Sequence, residues 1–119
     1  MTDTVSWNLQ LNIREGRLED FRALMGEMVS ATEANEPGTQ VYEWFLSDDG
    51  SACHIYERYA DSSAAMIHLG TFGANFAGRF LECGEPTAIA VYGEPSAEVR
   101  GVLDGFGAAY LSPFGGFVR

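Results

Sequence analysis

The chain has 119 residues, 46% hydrophobic and 20% charged, with 7 basic against 17 acidic side chains and a formal net charge of −10. That length suits one domain around one core, and the acidic balance excludes non-specific binding to nucleic acid or an anionic membrane, whose phosphates it repels. There is no apolar run of the roughly 18 residues a membrane span needs, and MTDTVSWNLQ lacks the basic and apolar regions of a secretory leader, so a reduced, cytoplasmic protein is expected, with Cys53 and Cys83 too few and too distant for a disulfide framework.

Val5, Trp7, Leu9, Leu11 and Ile13 alternate with Ser6, Asn8, Gln10 and Asn12, which predicts a strand. After the Glu15-Gly16 turn, residues 17–35 change to helical period, with Leu18, Phe21, Leu24, Met25, Met28, Val29 and Thr32 on one stripe. Glu36-Pro37-Gly38 stops that helix. Thr39 to Ser47 reads as a second strand, Asp48-Asp49-Gly50 as a hairpin turn, and Ser51 to Tyr59 as a third strand. Asp61 is a good N-cap for the next helix, which Gly70-Thr71 is expected to break, with a second piece running to about Cys83. Gly84-Glu85-Pro86 reads as a turn and Thr87 to Tyr92 as a fourth strand. Ser96 caps a last helix with Val99, Val102, Leu103 and Phe106 inward, ended by Ser112-Pro113. The tail PFGGFVR is too apolar to hang free in water.

This order predicts a single α+β domain: a ferredoxin-like four-stranded antiparallel sheet with helices on one face. Residues of about 5–93 form its core, and 96–119 add a helix and tail. The second strand carries Val41 and Phe45 on one face and Tyr42, Trp44 and Leu46 on the other; the fourth carries Ile89 and Val91, then Ala88, Ala90 and Tyr92. Helices cover one face only, so a homodimer packed sheet to sheet is expected, partly wet along the polar row of the first strand. The extra helix then either covers the pocket mouth or straps the dimer.

Within the third strand and the helix after it, Glu57 and His68 are the closely spaced acid–imidazole pair on facing elements. Tyr59, Phe72 and Phe76 are spaced either to stack on a planar ligand or simply to fill the core. Trp7 shares the face of Leu9 and suits a cavity wall; Trp44 suits the sheet-to-sheet contact. His54 and Arg58 have the opposite parity to Glu57, which suggests an interfacial His54 and an Arg58 paired with Glu43 or with the second subunit. Arg79 is the cation near the second helix. His54 and His68 face apart, so no metal site is expected. Gly70 to Gly73 lacks the strand and lysine of a phosphate loop, and no nucleophile triad or CxxC is present.

The Glu15-Gly16 turn, Glu36-Pro37-Gly38, Tyr56-Glu57-Arg58-Tyr59-Ala60-Asp61 and His68-Leu69-Gly70-Thr71, in that order, resemble the antibiotic biosynthesis monooxygenase family over about residues 5–93. The resemblance implies a dimeric α+β barrel with a cavity between helices and sheet in each subunit. It also implies oxidation of a quinol-like or polyphenolic aromatic by O₂ with no metal or flavin cofactor. The haem-degrading members use an asparagine, a tryptophan and a histidine at positions that here are Leu9, His68 and the Phe76–Gly78 stretch, so haem cleavage is not implied. Tyr59 matches the aromatic that cofactor-independent members carry near the end of the third strand, whereas their preceding asparagine corresponds to Ile55.

Such a reaction needs a base near a phenolic or enolic OH, an apolar pocket, and a donor for the developing anion. His68 is the candidate base and Glu57 the group that orients its other nitrogen. Tyr59, Trp7, Phe72, Phe76 and Arg79 are the candidate substrate-binding residues, Arg79 as an oxyanion partner. The plainer alternatives are that Glu57 pairs with a neighbouring arginine and that His68 lines a helix surface. The competing function is a non-catalytic dimeric module that binds a small ligand or serves in a stress response.

Overall fold

The computed structural model describes residues 3–119. In chain order come β1 (Val5–Ile13), α1 (Leu18–Asn35), β2 (Thr39–Leu46), β3 (Ala52–Tyr59), α2 (Ser62–Asn75), α3 (Ala77–Cys83), β4 (Gly84–Gly93), α4 (Ala97–Leu103), one 3-10 turn (Asp104–Phe106) and β5 (Ala109–Leu111). The sheet order is β2-β3-β1-β4-β5. The α+β, ferredoxin-like arrangement is as predicted, with β1 antiparallel to β3 and β4, and β2 antiparallel to β3.

Five details differ from the expectation. The sheet has a fifth strand, β5, parallel to β4, so it is mixed. It is also open in one chain, with β2 and β5 at its edges, rather than closed as a barrel. The last helix ends at Leu103 because Gly101, Gly105 and Gly107 weaken it, and Gly107 at φ +73° turns the chain back onto β4. Helix α2 runs through Gly70 and Thr71 and breaks at Phe76. Gly70 and Gly73 each cost about 1 kcal/mol, and Leu69 and Phe72, packed against the core beside them, hold the helix across both. The predicted turn Gly84-Glu85-Pro86 belongs to β4, where a register shift between Gln10 and Leu11 accommodates the proline.

The local signals otherwise act as their chemistry requires. Asp61 caps α2 by accepting from the Ala64 N–H at 2.8 Å, and Ser96 caps α4 by accepting from the Val99 N–H at 3.2 Å. Asp49 Oδ1 accepts from both Ser47 and Ser51, which fixes the β2–β3 turn at Gly50, φ +74°.

All helices pack on one sheet face. Val5, Trp7, Leu9 and Leu11 of β1 meet Phe21, Leu24 and Met28 of α1 and Phe80 of α3, all buried. The β2–β3 register sets Tyr42 opposite Glu57 and Trp44 opposite Ile55, so both point inward. Trp44 therefore packs on Phe21, with ring centroids 5.5 Å apart, instead of serving an intersheet contact. Val102, expected inward, is exposed, while Val99 and Leu103 are buried. The opposite face carries Ser6, Asn8 and Gln10 between the more apolar flanks Phe45 and Tyr92. Register opposes Arg58 to Val41, not to Glu43. In the tail, Phe114 and Phe117 are exposed rather than packed.

Candidate active site

Three segments deliver one polar group each into the apolar layer. Pro37 stops α1, and Glu36, whose N–H still bonds to Thr32 O, ends the helix with its side chain buried. Strand parity turns Glu57 of β3 inward beside Ile55 and Tyr59. His68 sits on the buried stripe of α2, one turn beyond Ala65. His68 Nδ1 lies 2.8 Å from Glu36 Oε1, and Nε2 lies 3.3 Å from Glu57 Oε1. Thr39 Oγ1 donates to the same Glu36 oxygen at 3.1 Å, and the Tyr59 hydroxyl donates to Glu57 Oε1 at 2.5 Å.

An imidazole with a carboxylate at each nitrogen satisfies both as an imidazolium, which has two N–H donors; the neutral ring has one. Burial lowers the His68 pKa, but the hydrogen bonds to Glu36 and Glu57 more than reverse this, and it is pushed up to about 9. Burial, reinforced by the nearby Glu57, holds Tyr59 well above the usual phenol range, and Tyr42 is raised for the same reasons with Glu36 contributing. Both tyrosines are thus neutral groups beside an ionic triad. Tyr42 sets its ring edge-on to the imidazole at 5.0 Å, and Trp7 lies 4.7 Å from Tyr59.

Glu57, His68 and Tyr42 form the polar end of a cavity of about 30 Å³, with Trp7, Phe72 and Phe80 among its apolar walls. That space suits one or two water molecules. The structure brings Glu57, His68, Trp7 and Phe72 together around this cavity. Tyr59 is fully buried behind Glu57 and holds that carboxylate rather than lining the cavity. Phe76 joins α2 to α3 and packs half-buried against the core, away from the cavity. Arg79 is exposed and forms a two-toothed ion pair with Glu27, so it faces no substrate space. His68 is buried and does not line a helix surface; Glu57 pairs with the imidazole, not with an arginine. Among the described residues, no three His, Cys, Asp or Glu side chains are grouped to hold a metal ion.

Read from the sequence, Glu36 ends a helix and belongs to the Glu36-Pro37-Gly38 motif, with no chemical role. A signal existed: it continues the stripe Leu24, Met28, Thr32 by one more step of four, an acid where the helix is otherwise buried.

Residues 4–74 match the family model described as antibiotic biosynthesis monooxygenase. No curated protein matches the chain significantly. Among solved structures, MupZ from Pseudomonas fluorescens superposes with a TM-score of 0.88 at 24% identity, covering 100% of this chain and 91% of its own. Rv0793 from Mycobacterium tuberculosis gives 0.67 at 25% identity, covering 78% of this chain and 96% of its own. SnoaB, a cofactor-independent oxygenase from Streptomyces nogalater solved as a mutant, gives 0.65 at 14% identity, covering 80% and 96%. The match to the family model spans more than half of the chain and includes both Glu57 and His68, and the chain belongs to the antibiotic biosynthesis monooxygenase family.

Proposed function

We propose that the protein is a cofactor-independent monooxygenase that oxidises a quinol-like or polyphenolic aromatic with O₂. The observation that carries this reading is the Glu57–His68 pair at the polar end of an otherwise apolar cavity. Family membership and the fold shared with an oxygenase that needs no cofactor support it. The roles first assigned to the pair are exchanged. His68 already holds its proton in neutral solution, since its pKa stands at about 9, so Glu57 is the acceptor. The imidazolium then stabilises the anion that forms.

In this mechanism Glu57 takes the phenolic proton. A ring carbon of the phenolate bonds to O₂, and the peroxide receives the proton back as a ring hydroperoxide. Loss of the hydrogen on that carbon breaks the O–O bond; one oxygen remains as a quinone carbonyl and the other leaves as water. The ring gives up four electrons and O₂ accepts four. The apolar walls keep competing water from the peroxide.

The subunit is proposed to act as a cytoplasmic homodimer. Asn8 Oδ1 and Arg58 Nε, on strand positions facing away from the helices, are buried without a partner among the described residues, and Phe45 nearby is half-exposed. A second sheet offers polar partners and apolar cover together. No helix among the described residues is long and apolar enough to cross a membrane.

The small volume of the cavity favours one other reading, a module that binds a small ligand without turnover. Incubation of metal-free protein with a hydroquinone under ¹⁸O₂ separates the two. The oxygenase reading expects O₂ uptake, one ¹⁸O atom in the product, and loss of both with Glu57→Gln. Binding without labelled product is the outcome that overturns it.

A further inference from the structure

Four of the residues lining the cavity are half-buried and so stand on its solvent side: Tyr42, Leu69, Phe72 and Phe106. Tyr42 is held in β2 by the ladder to β3. Leu69 and Phe72 lie within the 14-residue helix α2. Phe106 alone stands on a single 3-10 turn, with Gly105 before it and Gly107 after it, the latter at φ +73°. A glycine on each side leaves the backbone of that turn more freedom than any other part of the wall. The turn is anchored on both flanks. Buried Val99 and Leu103 fix α4, and β5 pairs with β4. Across the turn, Tyr110 donates to Asp104 Oδ1 at 2.6 Å while the Arg100 guanidinium lies 4.3 Å over the Tyr110 ring.

No aromatic ring enters 30 Å³ while every wall stays in place, because apolar cavities that take up benzene measure about 150 Å³. We propose that the turn Asp104–Gly107 is the movable wall of this chamber, and that Phe106 is the residue that sets the width of the ring system it admits. Admission displaces Phe106 toward solvent while Leu103 stays seated. A single phenolic ring occupies the volume that Phe106 yields; a fused pair of rings exceeds it. The inference rests on the reading of the chamber as a substrate site and narrows that substrate to a one-ring phenol.

The test is calorimetric titration of the full chain with phenol and with 2-naphthol, in the absence of turnover. The wild type is expected to bind phenol more tightly than 2-naphthol. Phe106→Ala is expected to tighten 2-naphthol by at least about tenfold, the scale at which pocket size discriminates apolar groups, whereas Phe117→Ala, in the exposed tail, changes neither. Equal affinity of the wild type for both compounds overturns the proposal, and that arm needs no variant. So does a folded Phe106→Ala protein with unchanged preference; Phe106→Leu repeats the comparison if the alanine variant does not fold. Because only binding is read, a negative result here leaves the ¹⁸O measurement standing, and absence of ¹⁸O product leaves the width of the chamber a separate finding.

Discussion

The His68 clamp makes folding stability fall as pH rises through the neutral range. The imidazole binds its proton with a pKa of about 9 in the folded protein, against an ordinary 6.5. That difference corresponds to about 3 kcal/mol. Below about pH 6.5 both folded and unfolded chains are protonated at His68, and the whole contribution is present. Between 6.5 and 9 the unfolded chain sheds the proton while the folded one keeps it, so the contribution drains away and is nearly gone near pH 9. The window closes before the buried Cys53 thiol, pushed up to about 11, enters with its own loss above pH 9. Urea unfolding at pH 6, 7, 8 and 9 should show the free energy decline by about 3 kcal/mol, and His68→Gln should flatten that slope while being less stable at pH 6. A wild-type protein equally stable at pH 6 and pH 9, or an imidazole that titrates near 6.5 by NMR, refutes the clamp.

Three further outcomes follow. Glu36→Gln removes one of the two carboxylates and leaves burial in place, so the His68 pKa should drop by about one to three pH units, read from the imidazole resonances across a pH titration. Asp61→Ala should cost about 1 kcal/mol in chemical denaturation through loss of the α2 cap; an unchanged midpoint would mean that the bond to Ala64 carries nothing. Val99→Ala should cost about 2 kcal/mol and Val102→Ala less than about 0.5 kcal/mol, since Val99 is buried and Val102 exposed; equal costs would contradict the facing of α4.

Strict alternation made β1 legible and helical period made α1 legible, while β2, β3 and β4 stood out as short apolar runs bounded by turn residues. What such patterns misjudged lies where a weak local preference yields to packing. Gly70-Thr71 reads as a break, yet Leu69 and Phe72, packed against the core on either side of it, keep α2 helical to Asn75. The 109–111 segment reads as helix because Val99, Leu103 and Phe106 share a helical stripe; the free edge of β4 competes for the backbone and wins after Gly107. In the site, the close spacing of an acid and an imidazole on facing elements singled out Glu57 and His68, and strand parity set Glu57 apart from His54 and Arg58. Glu36 was hidden because its partner is 32 positions away along the chain, and a helix-ending motif already explained it. Arg79 drew a role from its proximity in sequence, but its nearest anion is Glu27 on α1, a neighbour only the fold reveals.

The chemistry and the architecture of this protein share the same atoms. His68 ties the exit of α1 to β3 through α2, so the groups proposed to move protons also act as the keystone of the helical layer. Drift in this centre toward a new reaction therefore threatens solubility and lifetime in the same step, and selection has to supply reinforcement elsewhere before it can explore. Variation in this fold should accordingly accumulate first around the rim and last at the clamp.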